Sequence, residues 1–254
     1  VIWQRSRQGD GVVSALQDRS TTLARKDRLG DLKPLAANID LMLVITSPIP
    51  AFDELNVERF LVAAEHLNIP AQIVMNKWDM PSQQEKEELD QRLAVYRNIG
   101  YEVEHVSAKQ PDSIANWESH LSGRTTVLVG QSGVGKSSLI NALLPDLDLK
   151  TQAVSEATGL GTHTTTATTL YHLPSGGSLV DSPGVRAISL WEMDAREIEW
   201  GYREFHEFAG GCRFNDCKHL NEPGCALLGA VKQGEIDAGR LRRYHKLVSE
   251  LSGA

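Results

Sequence analysis

The sequence predicts an α/β fold built on a mostly parallel, doubly wound sheet. Short apolar, β-rich runs alternate with helical segments, and a glycine-rich pattern, G-x-x-x-x-G-K-[ST], stands between one such run and the next helix. Strands that are buried on both faces appear in a sequence as nearly continuous apolar runs. Strands that alternate with helices favour a parallel sheet with helices on both sides.

The first residues predict a β-hairpin. Apolar and polar residues alternate around Val1 and Trp3, "QGDG" at residues 8–11 provides a turn, and "VVSAL" resumes the apolar pattern. Two or three strands cannot bury a core alone, so we expect residues 1–33 to be the remnant of a small β-domain. The sequence starts inside a predicted strand and without methionine, so we expect that the natural N-terminus is missing.

The middle of the chain predicts the sheet. The expected strands are 40–47, 71–77, 101–108, 125–131, 167–173 and 177–184. The clearest helices between them are 58–67 and 83–99. From about residue 191 the pattern becomes helical, and this part contains all three cysteines. We therefore divide the chain into a β-remnant (1–33), a central α/β domain (34–190) and a C-terminal helical domain (191–254).

Composition and charge limit the classes of protein to which the chain can belong. Hydrophobic residues make up 41% and charged residues 23%, as in ordinary globular domains. No apolar run approaches the roughly 20 residues that span a bilayer, and the start lacks a signal-peptide pattern. We expect a cytoplasmic monomer without a membrane partner.

The charges are unevenly distributed. Residues 1–33 contain seven basic and four acidic residues. Residues 34–202 contain eleven basic and twenty-two acidic residues, and residues 203–254 contain eight basic and seven acidic residues. The net charge of the chain is −7. The overall charge argues against a surface that binds polyanions everywhere. An acidic centre between more basic ends suits an enzyme flanked by modules that touch RNA, or simply reflects solvated faces.

The stretch "GQSGVGKSS" predicts a phosphate-binding loop, because it follows a predicted strand and opens a predicted helix. Its glycines let backbone N–H groups converge on phosphate oxygens, Lys136 supplies a positive charge to the β and γ phosphates, and the Ser137 hydroxyl is a ligand for Mg²⁺. The expected phosphate-binding residues are Gly130, Gln131, Ser132, Gly133, Val134, Gly135, Lys136, Ser137 and Ser138.

Two further motifs predict that the base is guanine. Asn76, Lys77, Trp78 and Asp79 follow a predicted strand, and the Asp79 carboxylate can accept hydrogen bonds from both N1–H and the exocyclic amine of guanine. Adenine lacks this donor pair, and a mismatch leaves buried polar groups unpaired, which disfavours an ATPase or a kinase. After the next strand, the segment Ser107, Ala108 and Lys109 offers a backbone N–H to the guanine carbonyl.

The segments after the phosphate loop predict a switch. Asp181 and Gly184 fit D-x-x-G, in which the aspartate holds Mg²⁺ through water and the glycine N–H senses the γ phosphate. The preceding "GLGTHTTTATT" at 159–169 is rich in glycine and threonine, as expected of a segment that orders when a threonine reaches Mg²⁺. Thr165 is the expected ligand and Thr164 the alternative; without the neighbouring motifs, an ordinary β-branched loop that leads into a strand would be the favoured interpretation.

The order of these motifs resembles that of the circularly permuted GTPases, since both guanine loops precede the phosphate loop. Within that group, "GQSGVGKSS", "GLGTHTTT", "DSPGVR" and "KPLAANID" resemble the small ribosomal subunit biogenesis GTPases, over roughly residues 12–250. The resemblance implies an N-terminal oligonucleotide-binding (OB-like) barrel, of which only the last strands are present, a permuted P-loop GTPase core and a C-terminal zinc domain.

The resemblance also implies a function. It implies a GTP hydrolase that acts in late maturation of the small (30S) subunit, is stimulated by that subunit, and has GTP, GDP, the subunit and its rRNA as partners. Two alternatives remain open: a permuted GTPase that serves another RNA or assembly, and an RNA-binding module in which the GTP pocket is structural.

The residue after Gly184 raises the question of what positions the attacking water. Many G proteins have glutamine there, whereas this chain has Val185, whose side chain cannot donate or accept a hydrogen bond. Either hydrolysis is slow without help, or another group orients the water. His163, beside the switch threonines, is the nearest candidate, and the resemblance points to it as well; a merely exposed histidine is the alternative.

Three cysteines and a histidine predict a structural zinc site. Cys212, Cys217, His219 and Cys225 have the spacing C-x4-C-x-H-x5-C, and three thiolates with one imidazole complete a tetrahedral Zn²⁺ site that has no open position. Disulfides would leave one cysteine unpaired, and buried free thiols are the remaining alternative.

The last helical segment predicts an amphipathic helix. Leu241, Tyr244, Val248 and Leu251 share one face, which leaves Arg240, Arg242, Arg243 and Lys246 for the exposed side. That basic side is expected either to contact rRNA phosphates or to be solvated.

Overall fold

The computed structural model describes residues 2–5, 11–16, 18–26, 32–145, 147, 168–181 and 193–252. Its strands are β1 (Ile2–Arg5), β2 (Gly11–Ala15), β3 (Thr22–Lys26), β4 (Leu32–Ala37), β5 (Leu41–Thr46), β6 (Ala71–Met75), β7 (Glu102–His105), β8 (Thr125–Val129), β9 (Thr169–His172) and β10 (Ser178–Asp181). Its α-helices are α1 (Glu54–His66), α2 (Gln83–Asn98), α3 (Pro111–Leu121), α4 (Lys136–Leu143), α5 (Ala195–Trp200), α6 (Ala226–Gln233) and α7 (Ala238–Ser252), and Arg203–Phe208 form a 3₁₀ helix.

Six strands form the central sheet in the order β7-β6-β5-β8-β10-β9. Five are parallel, and β9 pairs antiparallel with β10 at one edge. The register places Thr46 opposite Met75, Met75 opposite His105, and Asp181 opposite Leu128. The carboxyl ends of the parallel strands therefore lie along one edge, and the predicted doubly wound α/β sheet is confirmed.

The strands are apolar because both faces of the sheet are covered. All six residues of β5 are buried, with Met42 and Val44 in one core and Leu43 and Ile45 in the other. The first core is completed by side chains of α1 and α2, and the second by side chains of α3 and α4. Side chains alternate between faces along a strand, so one apolar run serves two helical layers.

Local signals fix where the long helices begin. The Asp53 carboxylate accepts hydrogen bonds from the backbone N–H groups of Leu55 and Asn56 at the start of α1. Ser82 and Glu85 form a capping box at the start of α2. Such caps satisfy N–H groups that have no partner inside the helix. Among the described residues, no helix combines the length and the apolar character needed to cross a bilayer.

Two antiparallel hairpins precede the sheet. β1 pairs with β2, which confirms the predicted hairpin, and β3 pairs with β4. Leu23 of β3 is fully buried and belongs to the core on the α1 side, whereas Ile2, Val12 and Val13 are exposed. Strand β4 continues from residue 32 to residue 37.

A buried polar cluster joins the C-terminal helices to the sheet domain. Glu58 of α1 is fully buried and accepts hydrogen bonds from the hydroxyls of Tyr96 (3.0 Å) and Tyr202 (2.9 Å) and from Nε of Arg243. Burial raises the pKa of both tyrosines, and the charge of Glu58 raises it further, so both hydroxyls remain donors. Arg240 places Nη1 3.2 Å from Glu58.

This cluster corrects the prediction made for the last helix. Leu241 and Tyr244 are buried as expected. Arg240, which was expected on the exposed side, is buried as well, with 1% of its surface exposed. Its guanidinium donates two hydrogen bonds to Glu204, with Nε to Oε1 at 2.6 Å and Nη2 to Oε2 at 3.0 Å. Arg243 is half-buried, so the predicted basic face is reduced to Arg242 and Lys246.

Candidate nucleotide site and metal centre

Three predicted loops and Asp181 lie at the carboxyl edge of the sheet. The loops follow β6, β7 and β8, and Asp181 ends β10. Because ligands of open α/β sheets bind outside the carboxyl ends of the strands, this convergence is the geometry that the motifs require.

Glycine is required in the phosphate loop at two positions. A Cβ atom on Gly130, which has φ +140°, would lie 2.1 Å from the carbonyl oxygen of Ile45. A Cβ atom on Gly135, with φ +94°, would lie 2.4 Å from Nδ2 of Asn76. The loop therefore packs directly against β5 and the guanine motif, and any side chain at these positions would force them apart.

The remaining loop residues differ in their exposure. Gln131 and Ser132 are exposed, Gly133 is partly buried, and Val134 is buried. Lys136, Ser137 and Ser138 form the first turn of α4. The Lys136 amine donates hydrogen bonds to the carbonyl oxygens of Gly130 (2.7 Å) and Gln131 (2.8 Å), so its charge is held over the mouth of the loop, where phosphate oxygens would bind.

Asn76 ties three loops together. It is 1% exposed; its Nδ2 donates to the carbonyl oxygen of Val134 (2.9 Å), and its Oδ1 accepts from the backbone N–H of Ala108 (3.3 Å). Its own backbone N–H donates to the carbonyl oxygen of Thr46 at 2.8 Å. The asparagine of the guanine motif thus joins the phosphate loop to both guanine loops.

Lys77 makes a second tie. Its backbone has φ +60°, and its Nζ donates to the carbonyl oxygens of Gly133 (2.7 Å) and Ile49 (2.6 Å). Burial lowers the pKa of this amine, and Lys109 lowers it further, while Asp79 raises it. The stem of Lys77 consequently spans the distance between the guanine motif and the phosphate loop.

Asp79 and Ser107 connect the two guanine loops. The Ser107 hydroxyl donates to Oδ1 of Asp79 at 2.7 Å and accepts from the backbone N–H of Lys109 at 3.2 Å. The hydroxyl of Ser113 accepts from the backbone N–H of Ser107 at 3.1 Å. Asp79 is exposed, so its carboxylate is oriented by protein on one side and accessible on the other.

Of the residues predicted to lie near the γ phosphate or its Mg²⁺ in the segments after the phosphate loop, the structure describes only Asp181. This residue ends β10, beside the strand that leads into the phosphate loop, and is partly buried. His163, Thr164, Thr165, Gly184 and Val185 lie outside the described residues.

The four predicted zinc ligands form one cluster, whose ligand atoms all lie within 4.8 Å of one another. Sγ of Cys212 lies 3.9 Å from Sγ of Cys225, and Nδ1 of His219 lies 3.6 and 3.3 Å from these two sulfurs. Tetrahedral Zn²⁺ with Zn–S bonds of about 2.3 Å and Zn–N bonds of about 2.0 Å requires S–S and S–N separations of about 3.8 and 3.5 Å. The cluster therefore fits zinc in composition, and Cys212, His219 and Cys225 fit it in spacing as well.

Groups around the cluster orient its ligands. His219 has φ +59°, and its Nε2 lies 3.2 Å from Oε2 of Glu199, so a carboxylate accepts from the imidazole nitrogen that faces away from the metal position. The Cys212 and Cys225 sulfurs accept from the backbone N–H groups of Ala226 (3.3 Å) and Leu228 (3.4 Å). Backbone N–H donors of this kind are also partners for thiolates, the form that binds zinc.

The loop between the ligands is shaped by Glu222. Its carboxylate accepts from the backbone N–H groups of Lys218 (2.9 Å), Leu220 (2.8 Å) and Asn221 (3.0 Å). These bonds lower the pKa of Glu222 to about 2, so the carboxylate stays ionised and holds the turn closed.

Sequence reasoning missed the partners of several site residues. Glu199 stands 20 residues before His219, and no local pattern connects them. The Ile49 carbonyl that binds Lys77 is a backbone group and carries no side-chain signal. Ser113 had a local signal, because it lies in the first turn of α3, shortly after the predicted guanine loop.

Comparisons with known proteins agree with this geometry. The profile of the RsgA GTPase family matches residues 16–191. Two relatives named small ribosomal subunit biogenesis GTPase RsgA, from Histophilus somni and Ectopseudomonas mendocina, are each 46% identical, covering 99% of this chain and 73% of theirs.

Solved structures are also similar. The crystal structure of YjeQ from Thermotoga maritima is 28% identical with a TM-score of 0.80, covering 99% of this chain and 82% of that one. YloQ, described as a circularly permuted GTPase, is 30% identical with a TM-score of 0.76, covering 100% of this chain and 79% of that one.

Proposed function

The chain belongs to the RsgA GTPase family, and we infer that its nucleotide cycle serves the maturation of the small ribosomal subunit. It is a GTP-hydrolysing enzyme with a circularly permuted core, and relatives that match nearly its full length are named for small-subunit biogenesis. The observation that carries the proposal is the joining of the guanine loops to the phosphate loop through Asn76 and Lys77. A site connected in this way can bind base and phosphates together.

We propose the following roles for nucleotide recognition. Asp79 accepts from N1–H and the exocyclic amine of guanine, and the backbone N–H groups of Ala108 and Lys109 face the base carbonyl. The backbone of residues 130–138 and the Lys136 amine bind the phosphates. The exposure of Asp79 and the position of Lys136 over the loop support these roles.

Ser137, Asp181 and Thr165 would hold Mg²⁺. Ser137 and Asp181 fit this role, because they follow neighbouring parallel strands at the same edge of the sheet. When bound with GTP, the ion neutralises charge on the β and γ phosphate oxygens.

Hydrolysis requires a group that orients the attacking water, and we assign it to His163, since Val185 has no polar side-chain atom. The Gly184 N–H would detect the γ phosphate. We expect His163→Ala to retain GTP affinity and to lose most of the turnover that the small subunit stimulates. Unchanged stimulated turnover in that variant would remove the assignment.

The other regions complete the proposal. We propose that residues 1–33 are the remnant of an OB-like barrel, that residues 34–190 form the GTPase domain, and that residues 191–254 form a zinc domain. Cys212, Cys217, His219 and Cys225 would hold a structural Zn²⁺, which fixes the fold of that domain. The protein acts as a cytoplasmic monomer that contacts rRNA late in assembly.

The deciding experiment measures GTP turnover with purified ribosomal components. We expect small subunits to raise turnover and large subunits or free rRNA to leave it low. Equal stimulation by large subunits would contradict the assignment to the small subunit. Binding to the small subunit should also differ between GDP and a nonhydrolysable GTP analogue; equal binding would favour an RNA-binding module with a structural pocket.

A further inference from the structure

We propose that the stacked side chains of Trp78 and His105 are a positioning element that sets the spacing between the two guanine loops and thereby sharpens guanine specificity. The proposal rests on the proposed function, because it assumes that Asp79 and the segment after β7 read guanine. Trp78 is the variable position of the guanine motif N-K-x-D, so the motif does not require an aromatic residue there.

The stack joins the two loops where they leave the sheet. The Trp78 and His105 rings have centroids 3.8 Å apart and planes 4° apart, which is close, parallel stacking. Trp78 follows β6, and His105 is the last residue of β7. The backbone N–H of Trp78 donates to the carbonyl oxygen of Val106 at 3.1 Å, so backbone and side chain connect the same two segments.

A helix braces the histidine half of the stack. Nε2 of His105 lies 3.1 Å from Oδ1 of Asp90 and 3.3 Å from Nη2 of Arg97, both on α2. Lys86, also on α2, places its ammonium 5.7 Å from the centre of the Trp78 ring. Contacts from a single helix therefore reach both members of the stack and fix the orientation of the imidazole.

The stack lies next to the pair that reads the base. One residue beyond Trp78 stands Asp79, and two beyond His105 stands Ser107; these two side chains are hydrogen-bonded at 2.7 Å. Ser107 is buried, but the Asp79 carboxylate is exposed, so water can compete for the acceptor of that bond. The aromatic contact does not exchange with water, so it holds the loops at one separation while the guanine enters and leaves.

Spacing determines specificity because guanine is read by both loops at once. The Asp79 carboxylate must meet N1–H and the exocyclic amine while N–H groups of the other loop meet the base carbonyl. If the loops separate, both contacts weaken together. The exocyclic amine, which distinguishes guanine from hypoxanthine, then contributes much less to the binding free energy.

The chain contains a matched control in a second tryptophan–histidine stack. Trp200 and His206, in the C-terminal region, have ring centroids 4.0 Å apart at an angle of 21°, and Trp200 is 59% exposed. Trp200→Ala removes the same kind of contact in a region that takes no part in base recognition.

The test is the ratio of the GDP and IDP dissociation constants, measured by calorimetry on the full chain, for wild type, Trp78→Ala, Trp78→Phe and Trp200→Ala. A stacked aromatic pair contributes about 0.5–1.5 kcal/mol, so Trp78→Ala should weaken GDP binding by about two- to tenfold. IDP binding should weaken less than GDP binding, so the two dissociation constants should become more similar than in wild type. Trp78→Phe should restore most of the preference for GDP, and Trp200→Ala should leave it unchanged.

A folded Trp78→Ala protein with the wild-type ratio would overturn the proposal, as would a Trp78→Phe variant as impaired as Trp78→Ala. If Trp78→Ala does not fold, His105→Ala removes the stack from the β7 side and must narrow the ratio in the same way; a wild-type ratio there also overturns it. Failure of the proposed function is distinguishable in the wild type itself, which would then bind GDP and IDP equally or show turnover that small subunits do not stimulate.

Discussion

The nucleotide site and the metal centre are built in opposite ways. The first collects residues from four segments between Asn76 and Asp181, which only the order of the strands brings together. The second takes all four ligands from residues 212–225. Hydrogen bonds to buried Asn76 and to Lys77 hold the loops of the nucleotide site together, whereas the four clustered Cys/His side chains come from one short segment. The sheet brings the first set of residues together, and a local turn brings the second set together.

The largest expected effect follows from the structural zinc that we propose for this segment. Cys225→Ala should abolish stoichiometric zinc and lower the unfolding temperature of the C-terminal region, because structural zinc contributes on the order of 10 kcal/mol to small zinc domains. GDP affinity should change little, since the ligand loop lies outside the nucleotide site. Metal analysis, thermal unfolding and calorimetry measure the three quantities.

Asp216→Ala, an exposed change within the same loop, is the control and should retain zinc. Wild-type protein that is purified without chelator and contains no zinc would contradict the metal assignment.

The next effect concerns the junction between the two regions. Glu58→Gln should destabilise the protein by about 3–5 kcal/mol, because removing one charge of a buried ionic cluster leaves the others uncompensated. Denaturant unfolding gives the value. Arg59→Gln breaks the neighbouring exposed pair with Glu250 and should cost less than about 1 kcal/mol. Equal losses in the two variants would show that burial of the cluster is not what stabilises the junction.

A smaller effect is expected for the residue that we propose reads the guanine base. Asp79→Asn should weaken GDP binding on the order of a hundredfold, because it replaces a charged acceptor of two hydrogen bonds with a group that also donates. Stability should be nearly unchanged, since Asp79 is exposed. Calorimetry with GDP measures the loss, and Asp112→Asn, an exposed residue in the first turn of α3, is the control. Equal GDP affinity in the two variants would exclude Asp79 as the base reader.

The smallest effect is expected on the basic face that remains. Arg242→Gln should weaken binding to the small subunit by less than about tenfold and reduce its salt dependence by about one ion, as for one phosphate contact. Arg242 and Lys246 are exposed on α7, in contrast to Arg240. Affinities measured across a salt series provide the slope, and an unchanged slope would place this face away from RNA.

The difference between the two sites also explains what could be predicted from the sequence. The Cys/His pattern and the phosphate-loop glycines are local patterns, and the structure brings the four Cys/His side chains together as their spacing predicts. The burial of Arg240 was not predictable from helical periodicity, which identifies one apolar face but not a second face covered by Glu58 and Glu204. Glu199 was missed for the same reason, because its partner is defined by the fold. The roles of His163, Thr165 and Gly184 stay predictions.

The strand order has a consequence for how the protein is made. One half of the sheet, β7-β6-β5, comes from residues 41–105, and the other, β8-β10-β9, from residues 125–181; their strands pair where β5 lies beside β8. During translation the half with the proposed guanine loops emerges first and the half with the proposed phosphate loop last. Under these proposed roles, a nascent chain cannot bind a whole nucleotide until nearly the entire sheet has left the ribosome.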